Sequence, residues 1–590
     1  MMQDQHSNTL QSFYQEALAK TYAYIESYYR IENSLRGDKD ATHISELNPG
    51  STIWRIEAPG KERSFTFFIA IPPIFPDILP KFYLTEKDFL SFGRIPHVDK
   101  NRFVCTRDPA VIVLNDSKPG EAIQELLQIA ISILEAGIRG EMKQDFEEEF
   151  LAYWNDEEGP RALLICTPTN FPCKFILYTL SKPLFGAFYL ITPSKSFAKS
   201  WLNRLSETNS LSDEKEVLCL PLPKVPAFLP TNNQDIQIIF KSLDSISRQA
   251  VNNFRGNIIL ASITRGSADM LFAWRHPLVR VKGFRPKEGV IPLNLSLQGS
   301  RDEKITKFNI KRLDRHRIIR RAVDMGVLKE KATGCVIVGC GSVGSTLTML
   351  LAKSGCQKFT LIDPDELKEE NVARHLCGLH QVATTKTKVE AVKQSIEKHL
   401  PFVNCDIYSK DVLEILIAEP QIFDNAELVV FATANMGAER RANDFFQIEN
   451  LKPVIYLWLE PYGVAGHVLY VSPRQGGCYR CCFDPNGDFR FAVAEKNKQL
   501  PRREVGCQST FTPYGAADLE MFCSIACKII IKFLQEPPGQ SILFTWIGDK
   551  EQFESAGFKI SDSYAAHESY CLHQRNILPQ PECEICNKPI

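Results

Sequence analysis

Hydrophobic positions change period several times along the chain, and the changes divide it into three parts. Leu10–Tyr29 carries apolar residues at Phe13, Ala17, Leu18, Tyr22 and Ile25, the spacing of a helix with one buried face. Thr52–Ala58 and Ser64–Ile71 read as strands. The stretch IPPIFPDILPKFYLT follows, with prolines at 72, 73, 76 and 80, which forbids helix and predicts an extended loop. IPHVDKNRFVCTRD, with His97 and Cys105, reads as a loop ending near a short strand. Glu121–Gly137 is a strongly amphipathic helix closed by glycine. Together these predict an α+β domain over residues 1–155.

From Gly159 the pattern turns to strand-like runs (Ala162–Cys166, Lys174–Thr179, Phe185–Thr192, Glu216–Leu222 and Asn257–Ser262) separated by Pro, Asn and Ser. They predict an α+β connecting domain, residues 156–304, in which no catalytic constellation is visible. The last part, 305–590, opens its core with the apolar run Val336–Val338. That run feeds Gly339-Cys340-Gly341-Ser342-Val343-Gly344 and a helical pattern from Ser345 that Gly355 can stop. A second strand, Lys358–Ile362, delivers Asp363, 19 residues beyond the last glycine. This is an α/β dinucleotide-fold pattern, and a long apolar helix, Ala516–Leu534, follows later.

Composition narrows the picture. A chain of 590 residues exceeds one core, so several domains are expected. A hydrophobic fraction of 44% and a charged fraction of 24% are ordinary for a globular protein. The net charge of −1 supplies no field for nucleic acid or an anionic membrane. The polar start MMQDQHSNTLQS lacks a signal-peptide core, and no run reaches the apolar length of a membrane span. A cytoplasmic location is therefore expected. The 18 cysteines should be reduced thiols, metal ligands or nucleophiles rather than a disulfide framework.

The candidate chemistry sits at three places. Glycines of a GxGxxG turn let backbone approach phosphate, the helix start supplies N–H donors, and Asp363 can hold ribose hydroxyls. Gly339, Gly341, Gly344 and Asp363 thus predict nucleotide binding. Cys478 and Cys481 in CYRC, with Cys583 and Cys586 in CEIC, form two CxxC units able to make a closed zinc site of four thiolates. Cys482, beside a ligand, reads as a bystander, and Cys523 and Cys527, four apart on the long helix, as core residues. Cys105 lies in a polar loop with Lys100, Arg102 and Arg107, which can expose the sulfur and favour thiolate. Arg502 and Arg503 do the same for Cys507.

IPPIFPDILPKFYL and HVDKNRFVC resemble the proline segment and active-site loop of ubiquitin-conjugating enzymes. The resemblance implies a thioester-forming Cys105 and a structural His97. Val98 and Asp99 stand where the eukaryotic pattern has Pro and Asn, so the oxyanion asparagine has no counterpart but Asn101. NIKRLDRHRII resembles the entry segment of ubiquitin-activating and ThiF/MoeB-type adenylyltransferases, and implies that Arg315 reaches a partner subunit's ATP phosphates in a homodimer. DPDELKEENVARH reproduces that family's D-x-D-x5-N-x2-R pattern through Asn371 and Arg374, and VATTKTKVEAV offers its lysine as Lys388, with Lys386 the alternative register. The residue types suit a carboxylate attacking the α-phosphate of ATP, where two anions must be neutralised and oriented. A nicotinamide enzyme needs no such clamp. In GCQSTFTPYGAADLE, Cys507 occupies the place of the cysteine that captures the activated carboxyl.

One departure concerns Mg²⁺. In LVVFATANMGAER, Ala434 follows Thr433 where the family carries an aspartate, so magnesium handling must differ or activity is compromised, and Asp365 is a candidate to help. The whole chain resembles the bacterial fusion of a conjugating with an activating domain found in CBASS antiphage operons. That implies ATP-dependent activation of a protein C-terminal glycine, relay from Cys507 to Cys105, and conjugation to target amines. The implied partner is a cGAS/DncV-like nucleotidyltransferase or another protein ending in glycine. The competing readings are a sulfur-carrier adenylyltransferase, which leaves Cys105 unexplained, and a nucleotide-binding scaffold, which Ala434 favours.

Overall fold

The computed structural model describes the chain apart from residues 1, 34–36, 93–94, 109–111, 157, 266–267, 278–292, 294–296, 298–300, 321–333, 497–501, 504–509, 512 and 587–590. The described residues form two compact units. One comprises 1–164, 168–193 and 210–312, the other 165–167, 194–209 and 313–590.

The first unit begins with a five-stranded antiparallel sheet in sequential order: Ile31–Glu32, Thr52–Pro59, Ser64–Ile71, Lys81–Leu84 and Phe103–Val104. The helix Pro119–Ile138 presses Ile123, Leu127, Ala130 and Leu134 against Trp54, Ile56, Phe67 and Ile69 of that sheet. The N-terminal helix, Met2–Glu26, buries Ala17 and Ile25, whereas Phe13, expected on its inner face, is exposed. Among its described side chains, those that meet the core lie in the C-terminal part.

A closed barrel follows. Its strand order is Ile258–Arg265, Ala268–Arg275, Thr306–Arg312, Arg161–Leu164, Ala187–Thr192, Cys173–Leu184 and Leu211–Pro221. Closure removes the exposed edges that a seven-stranded sheet would otherwise carry. Residues 306–312, read in sequence as the opening of the last part, form the barrel strand Thr306–Arg312. Phe185, expected in a strand, instead forms a turn with Gly186, at φ 49° and 78°, so the strand starts at Ala187. Between sheet and barrel runs the helix Lys143–Asp156. Its Phe150 and Trp154 enter the barrel core beside Phe272 and Trp274.

The second unit is an eight-stranded sheet in the order Asn404–Tyr408, Lys358–Ile362, Gly334–Val338, Leu428–Phe431, Val454–Leu459, Ala465–Val471, Ile542–Ile547 and Leu572–Asn576. The first five strands are parallel and the rest antiparallel. The near-continuous apolar character of Cys335–Val338 follows from burial on both faces, as a parallel strand requires. The helices Ser342–Lys353 and Ala516–Gln535 cover one face, with Cys523 and Cys527 buried among them. Val412–Ala418 and Met436–Phe445 cover the other. The chain turns from Gly334–Val338 toward strands on both sides, which makes a topological switch point at its C-terminal end. No helix among the described residues is long and apolar enough to cross a membrane.

Candidate active sites

The glycine turn lies at that switch point, and each glycine answers a different constraint. A side chain at Gly339, which has φ 91°, would strike the Ala432 carbonyl, and one at Gly344 would strike the Gly339 carbonyl. These two let strand, turn and helix pack closely. A side chain at Gly341 would meet nothing within 4 Å, so here the missing Cβ leaves open room against backbone. Gly341 is also the N-cap of the helix, which starts at Ser342 rather than Ser345 and so brings Gly344 into its first turn.

Asp363 is buried at the end of the neighbouring strand. Its Oδ2 accepts from the Cys340 N–H at 2.6 Å and its Oδ1 from the Asp365 N–H at 2.8 Å. Burial pushes its pKa up, against the Lys388 charge and these backbone donors. Each carboxylate oxygen can still accept a second donor. His375 braces the turn from the other side. The Cys377 N–H donates to Nδ1, so Nε2 carries the proton and donates to the Cys340 carbonyl at 2.7 Å. Burial lowers the His375 pKa and keeps the ring neutral for that role.

The two lysines of the sequence pattern have different surroundings. Lys388 opens the helix Lys388–His399, capped by Thr387 and Glu390, and its N–H donates to the Asp365 carbonyl. Its Nζ lies 2.7 Å from Asp365 Oδ2 with the side chain 14% exposed, whereas Lys386 is 79% exposed and 4.0 Å from Glu366. Asn371 receives the Lys368 N–H within the turn Glu369–Arg374, and Arg374 stacks over Tyr514, 4.6 Å from the ring centre. Arg315 donates to the Gly355 carbonyl at 3.1 Å, at the far end of the glycine-turn helix. Ala434 has φ 51° between Thr433 and Asn435. The nearby buried carboxylate, Glu439, is taken by Thr433 and Tyr479 hydroxyls at 2.7 Å each.

In the first unit Cys105 is exposed at the end of the strand Phe103–Val104, its N–H bound to the His97 carbonyl at 2.7 Å. The thiolate expectation does not hold for the resting thiol. Partial burial, with Glu149, Asp108 and Asp99 nearby, pushes its pKa up. Arg102, one of the residues expected to favour thiolate, is committed to Asp40 at 2.5 Å. Sequence reasoning missed Glu149 and Tyr153, on the helix Lys143–Asp156. Both receive the His97 N–H, and Glu149 Oε1 lies 2.7 Å from His97 Nδ1. Within KQDFEEEF an acid of this kind reads as solvated surface.

Cys507 lies outside the described residues. Cys478 and Cys481, at the turn Tyr479–Cys482, meet Cys583 and Cys586 from the C-terminal tail. Sulfur pairs 478–583 and 481–586 are 3.6 Å apart, and all four ligand atoms lie within 4.8 Å of one another. Tetrahedral zinc with Zn–S bonds of about 2.3 Å needs sulfurs about 3.8 Å apart, so this cluster could hold a metal. Cys482 is buried beside it, facing the Cys478 carbonyl.

Residues 313–559 match the ThiF family and residues 38–162 match the Prokaryotic E2 family B. The chain is 22% identical to the ATP-dependent ubiquitin transferase-like protein Cap2 of Pseudomonas aeruginosa (strain BWHPSA011 / Pa011), over 78% of this chain and 84% of that one. It is 24% identical to Cap2 of Vibrio cholerae serotype O1, over the same shares. A crystal structure of Escherichia coli MccB with ATP aligns over 43% of this chain and 66% of that chain, at 19% identity and a TM-score of 0.30. Residues 38–162 are thus a Prokaryotic E2 family B domain and residues 313–559 a ThiF family domain, on one chain that resembles ATP-dependent ubiquitin transferase-like proteins over 78% of its length.

Proposed function

We propose that this chain is an ATP-dependent activating and conjugating transferase that joins a protein C-terminal glycine to an amine, in antiphage defence. The observation that carries the reading is the presence on one polypeptide of an open glycine turn flanked by Asp363 and Lys388 and of an exposed loop cysteine, Cys105.

ATP lies with its phosphates against the backbone N–H groups at Gly341 and Gly344 and its ribose toward Asp363, while the Gly339 N–H is held by the Ile362 carbonyl and Gly339 serves the close packing of the turn. The glycine carboxylate attacks the α-phosphate and pyrophosphate leaves. Lys388, Arg374 and Asn371 hold and neutralise the crowded anions, because two like charges must approach. Asp365 is the carboxylate that would hold a magnesium ion, whose charge would help to neutralise the triphosphate, because Ala434 offers no ligand. Cys507 then attacks the acyl adenylate and releases AMP, Cys105 takes the acyl group by thioester exchange, and an amine displaces Cys105 to form the amide. The activated partner is a cGAS-like nucleotidyltransferase ending in glycine. The working enzyme is a cytoplasmic homodimer in which Arg315 reaches the partner subunit's ATP. A zinc ion on Cys478, Cys481, Cys583 and Cys586 fastens the C-terminal tail.

ATP–pyrophosphate exchange, driven by a protein ending in glycine, tests this. Arg374→Ala should abolish exchange, whereas Cys105→Ala should retain it and lose only the conjugate. Absence of exchange with any glycine-ended protein, or its loss in folded Cys105→Ala protein, would contradict the scheme.

A further inference from the structure

An amine that attacks a thioester must shed a proton from its nitrogen before the amide is complete, and that proton ends on the departing sulfur either directly or through a nearby base. The structure surrounds Cys105 with a cleft of about 470 Å³ whose walls include Val98, Phe103, Ala152 and Tyr153. His97 and Glu149 line the same cleft. Glu149 Oε1 is 2.7 Å from His97 Nδ1, the Tyr153 hydroxyl donates to Glu149 Oε2, and that oxygen also receives the His97 backbone N–H. His97 sits in the left-handed region at φ 63°, an uncommon conformation for a residue with a side chain, so the surrounding contacts must hold it there. Three groups on one helix face and one loop therefore converge beside a nucleophilic sulfur.

We propose that this cleft binds the acceptor's primary amine, a lysine side chain, and that His97, held by Glu149, receives the proton as the amine displaces Cys105. The inference rests on the reading of Cys105 as the acyl-bearing sulfur. Val98, Phe103 and Ala152 supply apolar surface for the methylene stem, and Glu149 and Asp99 supply negative charge for the amino end. The neutral amine nitrogen bonds to the thioester carbonyl carbon. The carbon–sulfur bond then breaks with its electron pair on Cys105 Sγ, and the nitrogen's extra proton passes to His97. Donation of Nδ1–H to Glu149 makes Nε2 the basic nitrogen. Glu149 is a positioning residue here, acting through the ring.

The titratable groups around His97 are Glu149, Tyr153 and Asp145 on the helix, with Asp99 and Cys105 lining the same cleft on the loop side. The Glu149 hydrogen bond raises the His97 pKa above its ordinary value, and burial opposes it. The base acts when neutral, so its activity falls as pH drops through that pKa. Removing the carboxylate lowers the pKa and must shift the acid limb to lower pH.

The test uses the full chain. Cys105 is loaded by exchange with a small glycyl-peptide thioester, without ATP, and identified by absence of the adduct in Cys105→Ala. Discharge is then followed with L-lysine and with hydroxylamine, which needs far less help from a base. In His97→Asn, which tolerates the same backbone conformation, the lysine-to-hydroxylamine rate ratio should fall about 100-fold. In Glu149→Gln the ratio should fall and the acid limb should move to lower pH. An unchanged ratio, or equal slowing with both nucleophiles, would overturn the inference while leaving Cys105 as acyl carrier. Failure of the wild type to form any Cys105 adduct would overturn that underlying reading, and this one with it.

Discussion

At the scale of single residues, distance and exposure separate side chains that the sequence pattern leaves equivalent. Lys386 and Lys388 both fit the register after Arg374, yet the Lys388 side chain is mostly buried, with its backbone and its Nζ both on Asp365, whereas the Lys386 side chain is exposed. Lys388→Ala should therefore lower ATP–pyrophosphate exchange by about 10²–10³-fold, the cost of removing one charge-stabilising donor, while Lys386→Ala stays within about twofold. Equal effects would refute the assignment. His375 adds a second lesson. It directly follows Arg374 in the motif, but only its hydrogen bond to the Cys340 carbonyl shows that it braces the glycine turn.

At the scale of elements, the helix Lys143–Asp156 serves two neighbours. Glu149 and Tyr153 face the Cys105 loop, and Phe150 and Trp154 fill the barrel core. Trp154 is fully buried, donates its indole N–H to the Phe308 carbonyl at 3.2 Å, and packs 4.7 Å from Phe272. Trp154→Ala should cost about 3–5 kcal/mol in the unit that contains it, measured by denaturant unfolding. Because the same helix carries Glu149, discharge of a Cys105 adduct should slow as well. A loss below about 1 kcal/mol would mean that the helix is held by something other than this packing. The helix's sequence, KQDFEEEFLAYWND, reads as mixed because its two faces serve different cores, and a single amphipathic stripe is what periodicity detects.

At the scale of the whole molecule, the four-cysteine cluster joins residues more than a hundred positions apart. Elemental analysis should find about one zinc per chain, and a strong chelator should lower the melting temperature of the unit containing residues 313–590. Chelation that released no metal and left the melting temperature unchanged would remove zinc from the account. Much of this molecule was legible in advance for local reasons. The strands Ser64–Ile71 and Lys358–Ile362, the glycine turn, the proline loop and both CxxC pairs rest on backbone restrictions or spacings that neighbouring residues impose. Other features depended on contacts distant in the chain. The closing of seven strands into a barrel, the docking of the helix Lys195–Arg204 through Arg204 onto the Pro401 and Val403 carbonyls, and the pairing of Glu149 with His97 are of this kind. The sequence alone determined which local elements form and which residue types the chemistry requires, because propensity, period and ligand spacing act over a few residues. Only the tertiary structure decided which lysine is held against Asp365, how Cys105 is surrounded and what holds His97, because charge, burial and hydrogen bonding depend on groups brought together by folding.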